Sequence, residues 1–187
     1  MERPRCISLP RKNLRIIGLA GYIRPITDGR VPTRFQGYKN KLPELMSIEN
    51  VIAGLEAFIP TEEVEDVSKL YEIFAGQQPL TPELRKPAIP AILALIERYP
   101  EAELGSPGPL VHELESIPGY QPFLRESVLR QPADLSTWMV NRILNSELPQ
   151  DIRASWLTVL SEVTKHPLAP KLLRETAADF LQHQAER

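Results

Sequence analysis

The chain has 187 residues and a formal net charge of -2, with 42% hydrophobic and 25% charged residues. This composition predicts a soluble globular protein, since the chain is long enough to bury a core and its apolar runs are far shorter than the roughly 20 residues of a membrane span. Cys6 is the only cysteine, which excludes an intrachain disulfide and a thiolate zinc site. The first residues lack the apolar core of a secretory signal, and we therefore expect a cytoplasmic protein.

The charges are distributed unequally along the chain. Residues 1–45 contain 10 Lys or Arg and 3 Asp or Glu, whereas residues 46–187 contain 12 and 21. We therefore divide the chain into a basic N-terminal arm, residues 1–45, and a helical domain, residues 46–187. Segments of opposite charge can attract each other or attract two different partners.

The spacing of apolar residues predicts about eight helices, separated by short turns that begin with proline, and no strand. The first helix is predicted from about 48 to 58, with Ser47 as its N-cap, and Thr61 precedes the second. Thr81 and Pro82 begin a short turn before a helix from about 88 to 98. Further helices are predicted after Ser106-Pro107 and after Pro118-Gly119. Three more are predicted from residues at helical spacing: Trp138, Met139, Ile143 and Leu144 in the first; Ile152, Trp156, Leu160 and Val163 in the second; and Leu168, Leu172, Thr176 and Phe180 in the third.

The predicted architecture is all-α, and two arrangements are compatible with the helix pattern. A new helix every 15 to 20 residues is typical of stacked helical hairpins of the HEAT-like kind, in which two helices make a unit of roughly 40 residues. The absence of clear self-similarity between the pairs leaves an irregular helical bundle as the alternative.

Motifs that would identify an enzyme are absent. His112-Glu113 begins like a zinc-protease signature, but the second histidine of HExxH is missing, since Ser116 stands there. The three histidines lie far apart in the sequence, and no phosphate-binding loop or nucleophile elbow occurs. We therefore predict no catalytic residue, no metal ligand and no cofactor.

Two charged segments are candidate binding surfaces. Residues 11–41 combine lysines and arginines with Tyr22, Phe35 and Tyr38, a composition found where proteins contact nucleic acids. The whole chain is slightly acidic, which disfavours nucleic-acid contact elsewhere and leaves residues 1–45 as the candidate segment for direct binding. Residues 62–66 carry an acidic cluster that either binds a basic partner or stabilises a helix start, which favours negative charge.

The stretch from Gly105 to Asn145 carries a resemblance to a known group of proteins. Its pattern GSPGPLVHELE at 105–115, the pair Gly119-Tyr120 and the segment WMVNRILN at 138–145 are similar to small all-helical bacterial immunity proteins of contact-dependent inhibition and related polymorphic toxin systems. The resemblance covers about residues 80–183 and does not include the basic arm.

This resemblance implies a protein that binds a cognate toxin domain, with a nuclease as the first candidate, in the cytoplasm and blocks its active site without turnover. Acidic residues of the helical domain would then complement the cationic cleft of a nuclease. Tyr120 and Arg125 are residue types enriched at protein interfaces. The candidate contact residues are Glu62, Glu65, Asp66, Glu113, Glu115, Tyr120 and Arg125. The alternative function is a helical-repeat scaffold or nucleic-acid-associated protein that uses the basic arm.

Overall fold

The computed structural model describes residues 47–61, 65–75 and 80–186. Within these ranges the protein is all-α, as predicted, with eight helices of eight or more residues, a four-residue helix and one turn of 3-10 helix at Lys86–Ala88. The predicted boundary at residue 45 lies outside the described ranges and stays a prediction. The helices are α1 (Ile48–Ala57), α2 (Glu65–Ala75), α3 (Pro82–Arg85), α4 (Ile89–Arg98), α5 (Pro109–Ser116), α6 (Gln121–Arg130), α7 (Asp134–Leu144), α8 (Gln150–Lys165) and α9 (Lys171–Ala185).

Proline and glycine determine where several helices begin. Proline lies in the first turn of α3, α5 and α6, where its missing N–H has no intrahelical partner to lose. Helix α5 begins at Pro109 and not directly after Ser106-Pro107 as predicted. The reason is a tight loop in which Gly105 has a φ of 88° and a Cβ at Gly108 would lie 2.6 Å from the Leu104 carbonyl oxygen.

The helices contact one another in the order of stacked helical hairpins, the first of the two predicted arrangements. Helices α1, α4, α6 and α8 contact each other in succession and form one layer. In the second layer α2 contacts α5, and α7 contacts α9. Each hairpin joins one helix of each layer: α1 with α2, α4 with α5, α6 with α7, and α8 with α9. None of the helices in the described ranges is both long and apolar enough to cross a membrane.

The core is aliphatic and runs through all four hairpins. Its fully buried side chains include Leu55, Leu70, Ile92, Leu110, Leu124, Met139, Leu144, Leu160 and Leu173. Full burial of one such side chain stabilises the fold by about 1.5–3 kcal/mol relative to its exposure.

The inward face of α9 differs from the prediction by one residue. Leu172, which was expected to face the core, is 71% exposed, and Leu168 before the helix is also exposed. Leu173, Ala177 and Gln184 are buried in their place. Both Leu172 and Leu173 fit a helical repeat, and sequence spacing alone does not distinguish them.

A polar network connects α7, α8 and α9. The Arg153 guanidinium donates to the Leu144 carbonyl at 2.8 Å and to the Gln184 side-chain oxygen at 2.8 Å. The Gln184 amide in turn donates to the side-chain oxygens of Asn141 and Asn145, both at 2.8 Å. The side-chain amides of Asn141, Asn145 and Gln184 therefore hydrogen-bond to one another and hold α9 against α7 and α8, as expected of amides that have partners inside the protein.

Candidate functional site

A groove lies at the edge of the helix stack where two turns between successive hairpins come together. One wall is the end of α5, the α5–α6 turn and the start of α6, and the other is the end of α7 and the start of α8. Its volume is about 840 Å³, within the range of sites that bind a ligand or a partner side chain. The lining residues are Glu115, Tyr120, Gln121, Pro122, Arg125, Arg142, Ile143, Asn145, Ser146, Leu148, Ile152, Ser155 and Trp156.

Three of the predicted contact residues, Glu115, Tyr120 and Arg125, lie in this groove. The sequence places them on α5, before α6 and within α6, and the turn between these helices brings them together. Gly119 makes this turn possible, because its φ of 84° is a conformation that side-chain-bearing residues rarely adopt. Whether these three residues contact a partner stays a prediction.

Tyr120 is the most buried polar side chain of the groove. Its exposed fraction is 6%, yet its hydroxyl makes no hydrogen bond with any residue in the described ranges. Burial and the nearby Glu115 carboxylate raise the pKa of Tyr120 to about 12, against a smaller lowering by Arg142. The hydroxyl therefore keeps its proton at neutral pH and can donate it to an acceptor that enters the groove.

Arg142 and Glu115 form an ion pair across the groove, between α7 and α5. The guanidinium donates to the two carboxylate oxygens over 2.6 and 3.3 Å, and it also lies 5.5 Å from the centre of the Trp138 ring. Hydrogen bonding and the negative charge of Glu115 raise the pKa of Arg142. The two opposite charges offset each other, so this pair links α5 to α7 across the groove and adds little net charge.

Arg125 supplies the positive charge that remains. Its side chain is exposed, and it has no hydrogen bond or ion pair within the described part of the chain. It lies on α6, whose first turn contributes Gln121 and Pro122 to the groove and has no side-chain cap. An uncapped helix start carries partial positive charge, and the groove therefore has a positive potential on the α6 side.

Two predicted contact residues serve internal roles and differ from the expectation that they face a partner. Asp66 is only 1% exposed, and its carboxylate accepts hydrogen bonds from the Thr61 N–H, the Thr61 hydroxyl and Lys69. Glu113 is also buried, and both of its carboxylate oxygens accept from Arg85 at 3.0 and 3.1 Å. The Asp66 carboxylate therefore stabilises the start of α2, and the Glu113 carboxylate links α5 to α3.

Glu62 and the side chain of Glu65 lie outside the described residues. Their proposed contact with a partner stays a prediction. The structure therefore brings together three of the seven predicted contact residues, and it buries two others at separate places in the stack.

The apolar side of the groove was not predicted as part of a site. Ile143, Leu148, Ile152 and Trp156 line it. Trp156 was interpreted as a core residue, and it is buried, but one part of its surface faces the groove. The only signal in the sequence was the tryptophan itself, because the exposure of Ile152 depends on where α8 meets α7.

A smaller cavity of about 240 Å³ lies between the α4–α5 loop, α7 and α9. It contains the carboxylates of Glu101, Glu103 and Asp134 beside apolar side chains. Burial and the two glutamates raise the pKa of Asp134. Within the described ranges, no group of three or more His, Cys, Asp or Glu residues is arranged to hold a metal ion.

Comparisons with protein-family models, with curated proteins and with solved structures found no match to this chain.

Proposed function

We propose that this protein binds a partner protein through the groove between α5–α6 and α7–α8. The observation that carries this proposal is the combination of Tyr120, Arg125 and Trp156 in one open groove with apolar walls. Tyrosine, tryptophan and arginine dominate the energetics of protein interfaces because they combine a large apolar surface with a directional polar group.

We further propose that the partner is a toxin domain, with a nuclease as the first candidate, and that the protein acts as an immunity protein. The support for the class is the resemblance of residues 80–183 to such proteins, together with the excess of acidic residues from 46 to 187. Binding would block the toxin active site sterically and electrostatically, with no turnover. The paired state of Glu115 and Arg142 favours binding over proton transfer, since neither group is left without a partner.

Co-expression with a toxin domain encoded beside this protein would test the proposal. We expect protection from growth arrest and a complex that elutes together in gel filtration. The double variant Arg125→Glu, Ile152→Asp is expected to lose at least about 2 kcal/mol of binding free energy, roughly thirtyfold in Kd, because it places two negative charges on the groove surface. Both side chains are exposed, so the fold should tolerate the changes.

The matched control is the double variant Arg174→Glu, Leu172→Asp. It introduces the same two negative charges at an exposed arginine and an exposed aliphatic residue of α9, away from the groove. This control should bind as the unaltered protein does. Absence of both protection and a complex with the unaltered protein would contradict the immunity function, and equal binding by the groove variant would exclude the groove as the contact surface.

The second candidate function is association with nucleic acid through residues 1–45. The excess of 10 basic over 3 acidic residues in this segment favours it, because phosphate contacts by lysine and arginine supply most non-specific affinity for nucleic acids.

A further inference from the structure

The groove presents two groups that can donate hydrogen bonds, the Tyr120 hydroxyl and the Arg125 guanidinium, and neither has an acceptor within the described ranges. Tyr120 as a whole residue is only 6% exposed, its hydroxyl keeps its proton at neutral pH, and that hydroxyl makes no hydrogen bond within the described ranges. The hydroxyl is not among the buried side-chain atoms that lack a partner, so it faces the groove, and an acceptor on a ligand would replace the water that solvates it. The accessible position of Tyr120 on the groove wall allows that acceptor to come from outside.

The net positive charge of the groove favours an anionic hydrogen-bond acceptor. The ion pair of Arg142 and Glu115 is internally balanced, so the Arg125 guanidinium and the uncapped start of α6 determine the sign of the potential. A second helix start, that of α8, carries its own negative charge at Asp151, which offsets the partial positive charge there. An anion would therefore bind on the α6 side, near Tyr120.

The opposite side of the groove selects an apolar group. Ile143, Leu148, Ile152 and Trp156 form it, and Ile152 is 42% exposed. A small inorganic anion would leave this surface in contact with water. A ligand that fills both sides needs a carboxylate and a large apolar side chain within a few residues of each other.

We infer that the groove binds an acidic segment of the partner protein, with a Glu or Asp carboxylate on Tyr120 and Arg125 and a neighbouring aliphatic or aromatic side chain against Ile152 and Trp156. This inference rests on the proposed function, since it names the chemistry of the partner segment. The acidic surface elsewhere on residues 46–187 stays available for a basic cleft of the same partner.

Synthetic peptides test this inference with the full-length protein. We would use a set of capped peptides of about ten residues in which a Glu precedes a Leu by one, two, three or four positions, and a matched set with Gln in place of Glu. Binding is followed by the shifts of backbone amide and indole NMR signals. We expect at least one Glu peptide to shift the signals of Tyr120, Arg125 and the Trp156 indole, and its Gln counterpart to bind at least about fivefold more weakly.

Two variants distinguish recognition from folding. Tyr120→Phe should weaken the Glu peptide about tenfold, because a hydrogen bond to a charged group is lost, and should leave the midpoint of unfolding unchanged, because the hydroxyl has no internal partner. Arg125→Gln should weaken it by about two- to fivefold, as expected for an exposed charge. Arg174→Gln, on exposed α9 surface, should have no effect.

The inference would be overturned if no peptide shifted the groove signals, if Glu and Gln peptides bound equally, or if Tyr120→Phe lost stability but no affinity. A phosphoserine peptide that bound more tightly than its Glu counterpart would also overturn it, because the acceptor would then be a phosphate. These outcomes are separate from the co-expression test: a toxin complex that forms while the peptides fail refutes only the acidic segment, and the reverse refutes only the immunity function.

Discussion

Asp66 shows how one carboxylate near a helix start is stabilised by its immediate neighbours. The Thr61 N–H is the largest cause that lowers the pKa of Asp66, and burial partly opposes it; the Thr61 hydroxyl and Lys69 lower the pKa further. The side chain joins Thr61, which follows α1, to the first turn of α2. An acidic residue predicted to face a partner therefore holds the hairpin of α1 and α2.

This arrangement predicts a stability loss in acid. The pKa of Asp66 is lower in the folded protein than the value of about 3.9 expected for an unfolded chain, so its contribution is present above about pH 4 and is lost as the pH falls through the folded pKa. Asp66→Asn should lower the free energy of unfolding at pH 7, and the difference from the unaltered protein should shrink below pH 4. Urea unfolding at several pH values measures it.

Glu72→Gln is the matched control, since Glu72 is an exposed carboxylate on the same helix without a hydrogen bond in the described ranges. It should change the free energy of unfolding little at any pH. A constant difference between Asp66→Asn and the unaltered protein from pH 7 to pH 2 would show that the charge of Asp66 contributes nothing.

At the scale of the elements, the helix bounds followed closely from local sequence. Ser47 precedes α1, and the helix ends at Ala57, one residue before the predicted end. Thr81-Pro82 begins α3, and α4 covers the helix predicted at about 88 to 98. Proline and apolar spacing act within one or two turns, which is why they are readable without the fold. The inward faces were harder to predict, since Leu168 and Leu172, which fit the apolar repeat, are exposed.

Gln184 determines how α9 is attached to its neighbours. Its side chain is buried and joins Arg153 of α8 to Asn141 and Asn145 of α7. Gln184→Leu keeps a similar volume and removes all of these bonds, which leaves the partly buried Arg153 guanidinium with fewer acceptors. We expect the free energy of unfolding to fall by about 2–3 kcal/mol, and hydrogen exchange to become faster in α9 than in α4.

The control for this change is Gln182→Leu, at an exposed glutamine two residues earlier whose side chain bonds, within the described part of the chain, only to Glu186. It should alter the free energy of unfolding by less than about 0.5 kcal/mol. Equal losses in the two variants would mean that the network contributes no more than a surface hydrogen bond.

At the scale of the whole molecule, the buried apolar side chains of the described helices form one core cluster. Buried side chains from Val51 to Ala177 form it, and they join all four hairpins. The two proposed functions concern different parts of the chain: partner binding is proposed for the edge groove and nucleic-acid contact for residues 1–45.

Removal of residues 1–45 tests this division. Because the core lies in the remaining residues, we expect residues 46–187 to keep the helical circular dichroism and the unfolding midpoint of the full chain. Any affinity of the full chain for single-stranded DNA or RNA should fall steeply with salt and disappear on truncation. Unfolding of the truncated chain would contradict the division, and unchanged nucleic-acid binding would contradict the role of the basic segment.

The sequence by itself determined the helical class, the approximate helix bounds and the residue types suited to an interface, because periodicity, proline and side-chain chemistry are local properties. Only the tertiary structure decided that Asp66 and Glu113 are buried while Glu115, Tyr120 and Arg125 share a groove. The physical reason is the packing of the hairpins, which determines which side of each helix contacts another helix. The residue spacing within a single helix does not specify which helix will pack against it.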